Sequence, residues 1–205
     1  VLVLAVKPQQ YRDAVHDFAN LVREDHLVVS IMAGVSTRSL EECFPQIKAR
    51  VVRTMPNLAS HVGAGMAGVC AGRYASEADL LRAQRIFDAG GKSVHITDEA
   101  LMDAVTAVSG TGPAYYYFFT EALMEAAKRI GLSPHYASLL AKQTALGAAR
   151  MMLESGEAPG TLREKVTSPG GTTAAALASM RDSQVFEHII AGVEAAFHRS
   201  RELGA

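Results

Sequence analysis

Cysteine is scarce: Cys43 and Cys70 each stand alone in 205 residues. They form no C-x-x-C pair and no disulfide framework, which fits a reducing, cytoplasmic setting. Charge of one sign is lacking too. Twenty basic and 21 acidic residues are mixed along the chain, for a net charge of −1. A nucleic-acid surface needs a clustered basic face, so no nucleic-acid partner is expected. No apolar run reaches transmembrane length and no signal peptide precedes the first strand, so no membrane partner is expected either. The seven histidines never pair at metal-ligand spacing, and no metal is expected. Internal repeats and low-complexity segments are absent. So is a dinucleotide fingerprint. GAGMAG at residues 63–68 fits the letters of G-x-G-x-x-G, but it runs into VCAG, where no helix begins.

What is present is apolar mass, at 49% of residues, enough to bury a core in one or two domains. The chain opens directly on VLVLAV, without a methionine or a leading loop, so the natural protein is expected to begin further upstream. Residues 1–6 read as a strand buried on both faces. PQQYRDAVHDFANLV reads as an amphipathic helix with Pro8 in its first turn. HLVVSIMA, RVVRTM, GAGMAGVCAG and SVHI read as further strands. STRSLEECF reads as a helix with Ser36 and Thr37 as candidate caps. Ser76 caps SEADLLRAQRIFDAGG, which paired glycines stop. Strands alternating with helices at this spacing indicate a parallel, doubly wound sheet.

After Thr97 the strand pattern ends. One long helical pattern, interrupted at Ser109–Pro113, is followed by a helix started by Ser133 and Pro134, then by PGTLREKV and two more helices. The expected organisation is therefore α/β over 1–97 and all-α over 98–205. Several of these helices, including AYYYFF and QTALGAARMML, are apolar around much of their circumference. Either a second subunit covers them or they pack on one another and on the sheet domain.

Ligands of open α/β sheets bind at the carboxyl ends of the strands. Three strand ends qualify. Ala5, Val6, Lys7 and Pro8 end the first, and Lys7 either faces a phosphate or ribose or is simply solvated. Met32, Ala33 and Gly34 end the second. Asn57 ends the third, with a side chain able to donate to and accept from a carboxamide. SGTGP, residues 109–113, either kinks a helix for packing or lines a site; glycine and proline there cost roughly 1 and 3 kcal/mol as helix-interior residues. Glu99 sits in a first helical turn, where the dipole favours it. The strongest signal is VTSPGGTTAAAL, residues 166–177. The N–H groups of Gly171, Thr172 and Thr173 can converge on one anion at a helix N-terminus. The competing reading is an ordinary loop with a threonine cap.

Taken together, AVKP, DAVTAVSGTGPAYYY and LREKVTSPGGTTAAALASM resemble the Δ1-pyrroline-5-carboxylate reductases, and the resemblance runs from the first strand to the end of the chain. It implies a partial Rossmann-type parallel sheet followed by a helical dimerisation domain. Residues 1–97 would be the carboxyl-terminal part of the dinucleotide-binding domain, and 98–205 the substrate-binding and dimerisation domain. The glycine-rich turn and two leading βα units, roughly 60 residues at ~30 per unit, would be missing. The implied reaction, the last step of proline biosynthesis, reduces a cyclic imino acid to L-proline with NADPH or NADH, in a homodimer or higher homo-oligomer. The substrate carboxylate would lie at Gly171, Thr172 and Thr173. The Thr173 hydroxyl would bond the imine nitrogen, and Glu99 would lie near the substrate. Ala5 to Pro8, Met32 to Gly34 and Asn57 would line the cofactor. Catalysis would then consist of holding hydride and imine carbon ~3–3.5 Å apart and excluding water. Two other classes remain: a related NAD(P)-dependent imine or ketone reductase, and a non-catalytic helical dimerisation module.

Overall fold

The computed structural model describes residues 1–204. The chain forms two compact units, one of residues 1–113 with the chain from Val193 onward, the other Ala114–Gly192.

The first unit is built on a sheet of five strands, β1 Leu2–Leu4, β2 Leu27–Ser30, β3 Arg50–Met55, β4 Gly65–Ala71 and β5 Gly91–His95, lying side by side in chain order. β2 reads Leu-Val-Val-Ser and is buried throughout. Val28 points into one core with Leu4, Val15, Leu40 and Phe44; Leu27 and Val29 point into another with Val52, Val69, Leu80 and Ala83. Alternation across a pleat covered on both faces produces that continuous apolar run. The first face is covered by α1 (Tyr11–His16) and α2 (Thr37–Glu41), the second by α3 (Glu77–Asp88).

Three of the four strand pairings are parallel, as the sequence leads one to expect. The fourth is not: β3 and β4 are antiparallel. The cause is connection length. Residues 56–64 contain only a 3₁₀ segment at Leu58–Val62, too short for a parallel return, which needs a dozen or more residues. β4 instead reaches β5 through α3, and that pair is parallel. The helix expected over residues 8–22 is also broken. It divides into a 3₁₀ turn at Pro8–Gln10, α1, and a second 3₁₀ turn at Ala19–Leu21. Neither α1 nor the turns flanking it has a side-chain cap, and Asp17 and Asn20 are weak helix formers at the point of unwinding.

Local signals hold where capping chemistry backs them. Ser36 Oγ accepts from the Ser39 N–H at 3.0 Å and starts α2. Ser76 and Asp79 form a reciprocal capping box on α3. Asp79 is nearly fully buried and also accepts from Arg50 on β3 at 3.0 Å, so the cap ties the helix to the sheet.

The chain after the sheet is helical. A 3₁₀ turn at Glu99–Leu101 leads into α4 (Met102–Val105), a π-helical turn at Thr106–Gly110 and α5 (Gly112–Arg129). Then come α6 (Pro134–Glu154), α7 (Pro159–Lys165), α8 (Thr172–Asp182) and α9 (Val185–Leu203). Within Ala114–Gly192 the buried apolar residues are Ala137 and Ala141, both small. Phe118, Ile130, Leu153 and Phe186 are exposed by 68–80%. This unit encloses no core of large side chains among the described residues.

Asp79 generates a prediction about acid stability. Burial raises its pKa, but the Ser76 hydroxyl and N–H and the Arg50 guanidinium lower it more, leaving the carboxyl below its ordinary 3.8. A depressed folded-state pKa stabilises the fold above the unfolded value, and that contribution is lost as pH falls through the folded value. Asp79→Asn should cost about 1.5–3 kcal/mol at pH 7. In urea titrations, the gap between variant and parent should shrink as the pH drops below 3.8. A gap that stays constant with pH would assign the loss to packing.

Candidate functional site

The carboxyl ends of β1, β2 and β3 adjoin, since these strands are parallel neighbours. This brings together Ala5–Pro8, Met32–Gly34 and Asn57. Ala5, Val6 and Lys7 are exposed and Pro8 half-buried, so the first loop is open to a ligand. The second is less so. The Met32 side chain is part of the core, and its N–H donates to Ser30 Oγ at 3.2 Å. Gly34 has φ +77° and a neighbour already in place. A side chain there would meet the backbone of Gly204 at 2.9 Å and the Ser200 carbonyl at 3.1 Å, so the close approach it permits is made by the end of α9. Asn57 is likewise engaged within the protein. Its Oδ1 accepts from the Met66 N–H at 3.2 Å, and its Nδ2 donates to the Ser109 carbonyl at 3.2 Å and to Ser109 Oγ at 3.4 Å.

Both oxygens of Glu99 are engaged within the protein. Its Oε1 accepts from the Thr37 N–H at 2.7 Å, its Oε2 from the Thr37 hydroxyl at 2.6 Å, and Arg53 stands 3.3 Å from Oε1. Arg53 is almost wholly buried on β3 and reaches Asp103 at 3.4 Å as well. Asp103 in turn accepts from the Ser200 hydroxyl at 2.8 Å. One guanidinium thus joins β3, the start of α2, the segment around α4 and the last turns of α9. Thr37, expected as a cap, donates to a carboxylate instead, and Ser36 does the capping. Sequence reasoning missed Arg53, Asp103 and Ser200. The signal was available: RVVRTM puts a second arginine inside a strand that must be buried on both faces, and a buried arginine needs carboxylates.

Cys70 pairs with Arg53 across β3 and β4. Burial first, then the nearby Glu99 charge, pushes its thiol up to about 11, so it is a packed side chain rather than a nucleophile.

The Ser168–Thr173 turn lies in the other unit. Gly170 has φ +70°, a conformation that favours glycine. The N–H of Gly171 donates to the Ser168 carbonyl at 3.0 Å and closes the turn. It therefore does not join Thr172 and Thr173 in pointing outward, as expected. Gly171 is the N-cap of α8 and supplies no side-chain cap; Thr172 and Thr173 are the first two helical residues. Neither threonine caps the helix through its side chain, so the threonine cap of the competing reading is absent. The N–H groups of the first turn of a helix have no intrahelical acceptors, and here they carry the positive end of the dipole. Such an end can take a carboxylate.

Residues 99–203 match the pyrroline-5-carboxylate reductase dimerisation family. The pyrroline-5-carboxylate reductase of Methanosarcina acetivorans is 41% identical over 204 residues, covering 100% of this chain and 75% of the relative. Among solved structures, that of a pyrroline-5-carboxylate reductase from Coxiella burnetii superposes with a TM-score of 0.91 at 38% identity, covering 99% of this chain and 75% of that one. The Plasmodium falciparum pyrroline carboxylate reductase, solved with NADP bound, gives 0.91 at 32% identity, covering 99% and 81%. On its sheet, its turn and its likeness over nearly the whole length, the chain belongs to the pyrroline-5-carboxylate reductase family.

Proposed function

We infer that this protein reduces 1-pyrroline-5-carboxylate to L-proline, the last step of proline biosynthesis, with NADPH or NADH as reductant. The carrying observation is the uncapped α8 N-terminus behind a glycine turn, in a chain that matches reductases of this family over its whole length. Residues 1–97 act as the carboxyl-terminal part of the dinucleotide-binding domain, and 98–205 as the substrate-binding and dimerisation domain. The unpaired, buried or half-buried thiols fit a cytoplasmic protein.

The strand-end residues fit a dinucleotide. The open Ala5–Pro8 loop offers backbone groups and the Lys7 cation, while Met32–Gly34 offers backbone alone because the Met32 side chain is in the core. The nicotinamide supplies the hydride that goes to the imine carbon. At the other centre, Thr172 and Thr173 hold the substrate carboxylate through their N–H groups and the helix dipole, while Gly171 just before them makes room for the Ser168 side chain that shapes the turn. The Thr173 hydroxyl bonds the imine nitrogen, which takes up a proton as it becomes the amine of proline. Glu99, bonded to Thr37 and Arg53, holds the start of α2 and is the substrate-side carboxylate of this reading.

A second copy of the chain covers the bare helices of residues 114–192. Without it, aromatic and aliphatic side chains such as Tyr116, Phe118 and Leu153 would face water. The interface should lie in the obligate range of roughly 2,000 Å² or more. Sedimentation should show a dimer or larger assembly at micromolar concentration, and a folded monomer there would remove the proposal.

Thr173 is tested in the full-length protein by imine-dependent NAD(P)H oxidation. Thr173→Ala deletes a hydrogen bond to a charging group worth ~1.5–3 kcal/mol, so kcat/KM should fall roughly 10- to 150-fold. Because the hydroxyl is no cap, Tm should hold, and Thr173→Ser should keep most activity. An Ala variant with full activity would refute the assignment. If the unsubstituted protein prefers another imine or a ketone in a substrate panel, the related-reductase reading takes its place.

A further inference from the structure

The π-helical turn at Thr106–Gly110 begins with a missing donor. In an α-helix the Ser109 carbonyl would accept from residue 113, which is proline and has no N–H. The chain opens into a wider turn, where the Thr111 N–H reaches the Thr106 carbonyl at 2.8 Å, five residues back. The Ser109 carbonyl is satisfied from outside the helix, by Asn57 Nδ2 at 3.2 Å. π-Turns are rare and concentrate at functional sites. This one lies at the sheet's ligand edge: a side chain at Gly110 would meet the Met55 methyl at 2.5 Å, and Met55 is the last residue of β3.

The same Asn57 amide stands 3.4 Å from Ser109 Oγ as a donor. The hydroxyl oxygen therefore accepts from Asn57, while its proton has no acceptor among the described residues. Ser109 is half-buried, and its neighbour here is an uncharged amide, which suits a neutral acceptor rather than a phosphate. We propose that the Ser109 hydroxyl, oriented by Asn57, donates to the carboxamide oxygen of the nicotinamide at the carboxyl edge of β3. Asn57 is then a positioning residue: it acts through Ser109 and does not itself meet the cofactor carboxamide.

The inference rests on the reductase reading but is tested separately, by NAD(P)H fluorescence titration of the full-length protein without substrate. Ser109→Ala keeps the backbone carbonyl and its Asn57 bond, and should weaken NAD(P)H binding roughly three- to tenfold with Tm unchanged. Ser109→Thr keeps the hydroxyl and should bind as the parent does. Asn57→Asp keeps the acceptor for the Met66 N–H but removes both donors to Ser109. It should weaken binding to the same extent, and combining it with Ser109→Ala should add little further. An Ala variant that binds NAD(P)H as tightly as the parent overturns the proposal. So does a rise confined to KM for the imine with the dinucleotide Kd unmoved. A parent that binds NAD(P)H but shows no imine-dependent turnover would sink the reductase reading and leave the titration comparison standing.

Discussion

A guanidinium taken out of water cannot be left alone, and Arg53 fixes much of the first unit for that reason. Desolvating such an ion costs several kcal/mol even after relaxation, so two carboxylates have to arrive at its strand from elsewhere in the chain. Glu99 comes from the turn that begins the helical segment and Asp103 from α4. Each carboxylate brings a second element with it. Glu99 fastens the start of α2 through Thr37, and Asp103 fastens α9 through Ser200. Gly34 completes the arrangement, because only a residue without a side chain lets the end of α9 lie against the loop after β2. Replacing such a cluster with apolar residues is often neutral for stability elsewhere, so its value here is better placed in register, since it determines which segments meet at the sheet.

The other end of β3 faces a similar accounting problem at the level of the backbone. Pro113 lies in the first turn of α5, where its fixed φ suits the helix. The same proline leaves the carbonyl of Ser109 without its donor. The chain answers with a wider helical turn and a borrowed amide, the latter from Asn57 just past the end of β3. A helix interruption that reads as a bare cost in the sequence is thus a linked set of hydrogen bonds in three dimensions. Asn57 serves β4 through Met66 and the π-turn through Ser109, so a single side chain holds two elements at the edge of the sheet.

What was legible in the sequence follows from the range of the interactions. β3 is read with the limits it has, Arg50–Met55, because RVVRTM is rich in β-branched residues and is followed by Pro56. The caps at Ser36, Ser76 and Ser133 are read because the N–H groups that donate to them lie three residues away. The reversal of β4 was missed because direction depends on what a connection can span, and glycine-rich strands give no sign of it. The strand-end loops and the glycine turn before α8, as pieces of local structure, follow from local chemistry alone. The contacts of Glu99 and Asn57 within the chain do not, since Thr37 is 62 residues from Glu99 and Ser109 is 52 from Asn57. A carboxylate in a first helical turn and an amide in a strand-end loop look the same in sequence whether they meet a ligand or another part of the chain.

The helical unit shows the opposite balance, with local order and little of its own core. The buried Ala137 and Ala141 are small, whereas α5 and α6 leave tyrosine, phenylalanine and leucine in the open. At roughly 25 cal/mol per Å² of apolar surface, helices arranged this way gain their main stabilisation only when a second surface arrives. The turn before α8 belongs to this unit, and its geometry is set locally, by a left-handed glycine and the bond from the Gly171 N–H to Ser168. The N–H groups that would meet a carboxylate are therefore shaped within one chain, whereas the rigidity of the helices carrying them depends on association. Anion affinity at that turn and assembly of the protein should then be linked: whatever loosens the helices would weaken anion binding without altering the turn itself.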